Sequence, residues 1–189
     1  MTKNQPLRQL FTVTVYSENS VGLLNRVSNI FTRRCLNIED VSASVSSVPD
    51  IHKLTLTTWA DRPTMEKVVG QLEKIVEVLK VYLYTDDDVV YQEIALYKVP
   101  AAELIASGDL ETIIRRHSAR LLEVTPEYIV IEKTGHPWET EALFDCLRRY
   151  GIRQFVRSGR VCVTKSPVEH IDIFLEQQRE RQKKLNENG

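Results

Sequence analysis

Hydrophobic residues in the first half of the chain switch between a period of two and a period near 3.6 in a regular order. Residues 10–16, LFTVTVY, are rich in β-branched and aromatic side chains and predict a strand. A helix is predicted from about Ser20, because apolar residues recur at helical spacing as far as Phe31. Residues 41–47, VSASVSS, and 51–59, IHKLTLTTW, then predict two strands joined by a turn.

A second helix and a fourth strand complete this pattern. Pro63 is predicted to open the helix, and its apolar stripe runs from Met65 to Val76. Residues 78–84, VLKVYLY, predict the strand. The order strand-helix-strand-strand-helix-strand is that of a ferredoxin-like βαββαβ unit.

The second half of the chain repeats the order. Residues 89–99 predict a strand, and a helical stretch interrupted near Gly108 follows. Two strands turned by Pro126, a helix with Trp138 and Leu143 on its apolar face, and one or two further strands come next. The sequence therefore predicts an α+β fold of two ferredoxin-like modules, each an antiparallel sheet covered by helices on one face.

The boundary between the modules is predicted at residues 85–89, TDDDV, which are polar and acidic. We interpret this segment as a solvated linker, because consecutive aspartates rarely point at one Mg²⁺ ion. The predicted boundaries are 8–85 for the first module, 90–166 for the second, and 167–189 for a C-terminal helix and polar tail. We expect that helix to pack on the second module and the tail to fray from Gln177.

Composition and charge exclude several classes of protein. The formal net charge is -1, so no global basic field attracts nucleic acid. No apolar run approaches the length of a membrane span, and the first ten residues lack the apolar core of a signal peptide. The three cysteines stand at scattered positions, which favours reduced thiols in the cytoplasm. We therefore expect a cytoplasmic protein with no nucleic-acid partner and no membrane contact.

No catalytic or metal-binding motif stands out. None of the four histidines is spaced three or four residues from another histidine or a cysteine, so a metal site has no support. Glycine-rich phosphate-binding motifs are absent as well. The carboxylates at positions 139, 141 and 145 fit a solvated helix face. The sequence offers no specific support for an enzyme.

Two basic clusters need an interpretation. Residues 115–120, RRHSAR, fit the cationic end of a helix, where positive charge complements the macrodipole. Residues 153–160, RQFVRSGR, fit either a plain exposed hairpin or a site for an anion or an acidic partner surface. The residues alone leave both alternatives open for the second cluster.

A polar corner, Glu18-Asn19-Ser20, precedes the first predicted helix, with Gly22 one step inside it. Asn19 or Ser20 would cap the helix by accepting a backbone N–H. The same turn offers free N–H groups and partial positive charge to a carboxylate, and Gly22 leaves room for a ligand. Asn37, at the entry to the next strand, would accept a hydrogen bond from an ammonium group. Carboxylate and ammonium together describe an α-amino acid, and the spacing leaves the cap and the ligand site both open.

The segment 17–44, SENSVGLLNRVSNIFTRRCLNIEDVSAS, closely resembles the opening of the regulatory small subunits of acetohydroxyacid synthase, also called acetolactate synthase. The resemblance rests on the run Glu-Asn-x-x-Gly-x-Leu-x-Arg-Val and on its spacing to Arg-Arg-x-Leu-Asn-Ile-Glu. Further similar segments are QLEKIVEVLKV, QEIALYKV, EVTPEYIVIEKTG and VRSG. Together they span most of residues 8–165.

This resemblance implies an N-terminal ACT domain, an amino-acid-sensing ferredoxin-like module, in a chain that is not itself the catalyst. The chain would bind a catalytic large subunit, raise its activity and confer feedback inhibition by valine or another branched-chain amino acid. Thiamine diphosphate, Mg²⁺ and FAD would belong to that large subunit, and this chain would hold no cofactor. The holoenzyme would serve branched-chain amino-acid biosynthesis. The alternative is a stand-alone ACT-domain sensor that regulates a different enzyme or a transcription factor.

The resemblance also assigns the effector site. Its residues would be Asn19, Gly22 and Asn37, with Glu18, Ser20, Val21 and Leu23 nearby. It implies a homodimer through the ACT domains, with each ligand held between the helix start of one subunit and the Asn37 strand of the other. Similar proteins usually have glycine where Cys35 stands. If that position has a left-handed backbone, cysteine costs about 1 kcal/mol relative to glycine.

Overall fold

The structure, a computed structural model, describes residues 8–187, apart from the side chains of residue 182 and residues 185–187. The last two residues of the predicted C-terminal tail therefore lie outside the described residues. The chain forms two compact units. The first contains the described residues up to Val90 and from Cys162 onward, and the second is Tyr91–Val161.

Nine strands and six helices make up the described part of the chain. In chain order they are β1 (Gln9–Glu18), α1 (Leu23–Arg33), β2 (Asp40–Val45), β3 (Ile51–Ala60), α2 (Arg62–Leu72), β4 (Val78–Tyr84), β5 (Val89–Pro100), α3 (Ala101–Ala106), α4 (Leu110–His117), β6 (Arg120–Val124), β7 (Tyr128–Gly135), α5 (Pro137–Arg148), β8 (Gln154–Arg157), β9 (Val161–Thr164) and α6 (His170–Glu187).

The sheet of the first unit is antiparallel, with strand order β2-β3-β1-β4. Side chains alternate along β1, and Phe11, Val13 and Val15 point toward α1 and α2. There they are fully buried in one core with Phe31 of α1 and Met65 of α2, among others. This core fixes α1 on one face of the sheet.

Helix α2 is shorter than its apolar stripe predicted. Asp61 caps its start by accepting the Thr64 N–H at 2.9 Å, and this bond holds the pKa of Asp61 below its ordinary value. The helix ends at Leu72 because the chain turns there toward β4. Val76, predicted within the stripe, is 94% exposed, so the prediction was wrong at that end.

Helix α6 packs on the first unit, and the prediction that it packs on the second was wrong. Ile171 is fully buried with Tyr16 and Ile51, beside Phe174 and Leu175, on the sheet face opposite α1 and α2. The helix also continues through the segment predicted to fray, as far as Glu187. Helical periodicity identifies an apolar face but not its partner, which explains the error.

The second unit repeats the topology of the first. Its sheet has the antiparallel path β6-β7-β5-β8, the same connectivity as β2-β3-β1-β4. The core contains Tyr97 of β5 together with Leu104, Ile113 and Leu143 from helices α3, α4 and α5. Trp138 is 62% exposed and does not belong to it, contrary to the prediction. The predicted fold class, two ferredoxin-like βαββαβ modules, is confirmed.

None of the described helices is both long enough and apolar enough to cross a membrane.

Candidate functional site

The polar corner of the first unit lies where β1 gives way to α1. Glu18 is the last residue of β1, and its N–H donates to the Glu77 carbonyl at 3.0 Å. Gly22 immediately precedes α1 with φ of 80°, a left-handed backbone that side-chain-bearing residues rarely adopt. A Cβ at Gly22 would meet no atom within 4 Å, so glycine is required here for its backbone rather than for space.

The predicted side-chain cap is absent from α1. Gly22 is the N-cap residue and no described side chain caps the helix start, so the cap role predicted for Asn19 or Ser20 was wrong. Gly22 has a left-handed backbone, and the helix begins only at Leu23, three residues after Ser20. The N–H groups of Leu24 and Asn25 consequently have no acceptor within their own helix. They remain available to an anion at the positive end of the helix dipole.

The predicted site residues near this turn differ in exposure. Glu18 and Asn19 are exposed, Ser20 is half-buried, and Val21 is fully exposed. Leu23 is only 9% exposed, and its side chain packs into the core, which anchors the turn to the sheet. The structure thus places residues 18–22 on one open corner.

Asn37 lies in the loop between α1 and β2, three residues before the strand begins at Asp40. Its backbone carbonyl accepts the Thr58 hydroxyl at 2.6 Å. Its side-chain Nδ2 donates to Glu39 Oε1 at 3.0 Å. The side-chain oxygen of Asn37 is therefore free to accept a hydrogen bond from a ligand.

One chain does not bring Asn19 and Asn37 together. Asn19 follows Glu18, which pairs with Ile51 at the first end of β3. Asn37 is held to Thr58, near the other end of β3. Helix α1, with 11 residues, spans about 16 Å between these two ends. The predicted residues thus lie in two groups at opposite ends of one module.

Two residues at the corner were not predicted. The Arg26 guanidinium lies 2.8 Å from Glu77 Oε1 and 3.2 Å from Ser20 Oγ, which brings a cation to the start of α1. Its position four residues after Gly22 places it one turn along the same face, a signal that sequence reasoning could have used. Ser17 Oγ is fully buried and has no hydrogen-bond partner among the described residues. The sequence carries no comparable signal for Ser17, because a serine near a strand end does not indicate a buried hydroxyl.

Cys35 has a left-handed backbone, with φ of 54°. It follows Arg34, the C-cap residue of α1, in a closing motif in which the Cys35 N–H donates to the Thr32 carbonyl and the Leu36 N–H to the Phe31 carbonyl, both at 3.0 Å. This arrangement normally places glycine at the left-handed position. Cys35 therefore has the left-handed backbone at which cysteine costs about 1 kcal/mol relative to glycine.

The basic clusters of the second unit have structural roles. Arg115, Arg116 and His117 form the last turn of α4, where they complement the helix dipole as predicted. In residues 153–160, Arg157 lies 3.5 Å from Glu93, and Arg160 is buried over the Tyr91 ring at 3.6 Å. Two of the three arginines in this cluster are therefore engaged by other side chains, which disfavours the anion-binding alternative.

No group of three or more histidine, cysteine, aspartate or glutamate side chains is placed to hold a metal ion within residues 8–187.

Two family models match the chain. Residues 13–80 match the model described as an AHAS small subunit-like ACT domain, and residues 92–166 match the model for the small subunit of acetolactate synthase. The crystal structure of the acetolactate synthase small subunit from Thermotoga maritima superposes with a TM-score of 0.76 at 26% identity. That alignment covers 85% of this chain and 99% of the other.

Curated relatives agree with these matches. The acetolactate synthase small subunit of Mycolicibacterium smegmatis is 33% identical over 156 residues, which cover 82% of this chain and 91% of the relative. The Bacillus subtilis small subunit is 31% identical over 154 residues, covering 81% and 88% respectively.

The βαββαβ module of the first unit, with its match to the ACT-domain model over residues 13–80, identifies an ACT-domain protein. More particularly, the chain belongs to the acetolactate synthase small-subunit family, as its resemblance predicted. Helix α6 begins after residue 166, where the family match ends.

Proposed function

We propose that this chain is the regulatory subunit of acetolactate synthase. It binds the catalytic large subunit in the cytoplasm, raises its activity and confers feedback inhibition by valine or another branched-chain amino acid. Membership of the small-subunit family is the observation that carries the proposal. The chain itself is non-catalytic, and thiamine diphosphate, Mg²⁺ and FAD belong to the large subunit. Residues 8–85 serve as the effector-binding ACT domain and residues 90–166 as the second domain.

The effector carboxylate binds at the start of α1. The free N–H groups of Leu24 and Asn25 donate to it, and the helix dipole supplies partial positive charge. The Arg26 guanidinium, paired with Glu77, lies nearby and has further N–H donors. The first turn carries no acidic residue that would oppose the ligand's charge. Gly22 lets the carboxylate approach the backbone, and the exposed Val21 offers an apolar contact to a branched side chain.

The effector ammonium group binds Asn37 of the partner subunit. The separation of Asn19 and Asn37 along α1 supports this arrangement, because one chain alone supplies two incomplete halves. We place the contact along the outer edge of β2, where a two-fold axis makes the β2 strands of the two copies antiparallel. The corner of one subunit then meets the Asn37 loop of the other, and two ligands complete two equivalent sites. Strand β2 is the edge of its sheet, and its Val41 and Val45 are exposed.

Inhibition follows from a coupling free energy between this interface and the large subunit. Valine bridges two subunits and favours one arrangement of the pair. If that arrangement activates the large subunit less, effector binding lowers activity without any contact with the catalytic centre.

Reconstitution tests the proposed function. The chain is mixed with the thiamine-diphosphate-dependent large subunit from the same cell, and acetolactate formation is assayed with and without valine. We expect co-purification, a higher rate than the large subunit alone, and inhibition by a branched-chain amino acid. Absence of both stimulation and co-purification would reject the proposal and favour a stand-alone ACT-domain sensor.

Calorimetric titration with valine tests the site. Asn19→Ala combined with Asn37→Ala is expected to weaken binding at least tenfold, since Asn37 contacts the ligand's ammonium group and Asn19 lies at the corner that receives its carboxylate. Asn29→Ala is the matched control, because Asn29 is exposed on α1 but lies outside the corner. Undiminished binding by the double variant would reject these site residues while leaving the regulatory role untouched.

A further inference from the structure

A cavity of about 220 Å³ lies on the face of the first unit's sheet that α1 and α2 do not cover. Strand residues Thr14, Tyr16, Lys53 and Tyr84 form its floor, and Ser166 and Glu169 close it from the returning chain. At about 30 Å³ per water molecule, the space equals roughly seven waters, or one small organic molecule. All of these residues belong to the first unit.

Lys53 brings an incompletely satisfied cation to this cavity. Its Nζ makes one long hydrogen bond, 3.5 Å, to the Cys162 carbonyl, and lies 5.8 Å from the centroid of the Tyr16 ring. No carboxylate among the described residues pairs with it. A half-buried ammonium carries three N–H donors, and leaving them unpaired is unfavourable. The structure therefore leaves donors on Lys53 for an anionic group.

Glu169 supplies the opposite charge in a fixed position. Its Oε1 accepts the Tyr16 hydroxyl at 2.7 Å, and its Oε2 accepts the Ser47 hydroxyl at 3.2 Å. Burial, followed by this bond to Glu169, raises the pKa of Tyr16 far above its ordinary value, so the phenol stays protonated and keeps donating. Each carboxylate oxygen can accept a second hydrogen bond, which leaves Glu169 able to receive an ammonium group.

We propose that this cavity binds a small zwitterion, with Lys53 on the ligand's carboxylate and Glu169 on its ammonium group. The two side chains line the same space without pairing with each other, so a ligand carrying both charges neutralises both. The hydroxyls of Thr14 and Ser166 line the space beside the ligand's polar atoms, and Val163 contacts its carbon chain.

The site is distinct from the effector corner. It lies on the opposite face of the sheet from α1, and it needs one chain rather than two. Its outer wall includes Glu169, which follows the end of the family match at residue 166. A ligand here would tie the segment before α6 to strands β1 and β3.

Calorimetry on the full-length chain tests the proposal with three probes: glycine, L-alanine and 4-aminobutyrate, which differ in the separation of their charges. Acetate and methylammonium serve as half-ligands. We expect at least one zwitterion to bind, and each half-ligand to bind at least tenfold more weakly. Lys53→Met and Glu169→Gln should each weaken zwitterion binding at least tenfold. Lys67→Met, an exposed lysine on α2, should leave it unchanged.

The Asn19→Ala plus Asn37→Ala variant separates this site from the effector site, since it should retain zwitterion binding here. No heat from any of the three probes overturns the proposal, as does equal binding by acetate, which would indicate a plain anion site. Loss of the signal in the double asparagine variant, with Lys53→Met unaffected, overturns it too. A thermal scan that shows each variant fully folded at the titration temperature establishes that a loss of binding is not a loss of fold.

Discussion

The hydroxyl of Tyr16 donates a 2.7 Å hydrogen bond to the carboxylate of Glu169, which lies 153 positions later in the chain. Tyr82 makes a second link of this kind, because its hydroxyl donates to the His170 carbonyl at 2.8 Å. Tyrosines from two strands thus hold the start of α6 on the sheet, together with the buried Ile171.

Tyr16→Phe should destabilise the first unit by about 1.5–3 kcal/mol, the usual contribution of a hydrogen bond to a charged group. Tyr82→Phe is the matched comparison, since its acceptor is a neutral carbonyl, and about 1 kcal/mol is expected. Urea unfolding measures both, and hydrogen exchange should speed up in the first turns of α6. Equal losses for the two variants would show that the charge of Glu169 contributes nothing.

Cys35→Gly should stabilise the chain by about 0.5–1 kcal/mol. Glycine removes the Cβ strain at φ of 54°, while its greater freedom in the unfolded chain offsets part of the gain. Cys35→Ala keeps the Cβ and should not stabilise. Guanidinium unfolding under reducing conditions distinguishes the two, and an equal gain from alanine would mean that the thiol, not the backbone, is unfavourable.

Thr140→Val should destabilise the second unit by about 1–3 kcal/mol. The Thr140 hydroxyl donates to the carboxylate of Glu93, which is only 6% exposed and also lies 3.5 Å from Arg157. Valine matches the shape of threonine but leaves the Glu93 Oε1 with only the longer contact from Arg157 among the described residues. Thr140→Ser keeps the hydroxyl and should cost clearly less in the same urea titration.

Glu139 should make stability depend on pH in the acid range. The His136 N–H donates to its carboxylate at 2.8 Å, and with Lys133 nearby it lowers the pKa of Glu139 below its ordinary value of 4.5. Because the folded state binds this proton less readily, the stabilisation is complete above that ordinary value. It is lost as pH falls through the lowered pKa.

Glu139→Gln should therefore flatten the stability profile measured by urea unfolding from about pH 6 to about pH 3. Asp145→Asn, which removes an exposed carboxylate from the same helix, is the control for the loss of one negative charge. A profile that Glu139→Gln does not alter would show that the carboxylate titrates alike in the folded and unfolded chains.

Charges on the edge strand should dissociate the proposed dimer. Val41→Glu with Val45→Glu places like charges beside each other across a two-fold axis, and at least a tenfold rise in the dimer dissociation constant is expected. Val76→Glu, at an exposed valine in the turn before β4, is the control. Analytical ultracentrifugation measures the change, and an unaltered dimer would exclude β2 as the contact.

Local patterns in the sequence predicted the elements well, because each strand and helix buries one face with its own period. The sheet order of both modules followed from one known arrangement of six such elements. Tertiary information was harder to predict. The partners of α6 lie far away in the chain, 88 positions between Tyr82 and His170 and 153 between Tyr16 and Glu169. An apolar stripe such as Ile171 with Phe174 and Leu175 fits many surfaces equally well.

Sequence reasoning on the candidate site met a similar limit. Family resemblance indicated Asn19, Gly22 and Asn37 with a ligand held between two subunits, and these residues remain a prediction. Spacing alone did not indicate that the length of α1 lies between Asn19 and Asn37. The left-handed backbone of Gly22 decides where the helix starts, and this moved the open N–H groups to Leu24 and Asn25. The preference for asparagine or serine at helix N-caps could not reveal where α1 starts, since glycine is tolerated at many positions.

The first unit is discontinuous in sequence, and this imposes an order on its synthesis. Residues 91–161 must leave the ribosome before the segment that carries Glu169 and Ile171. At roughly 5–20 residues per second, that interval lasts about 4–14 seconds. During it the nascent sheet exposes Tyr16 and Ile51 without their covering helix, so one apolar face of the first unit is open to solvent and to chaperones until synthesis ends.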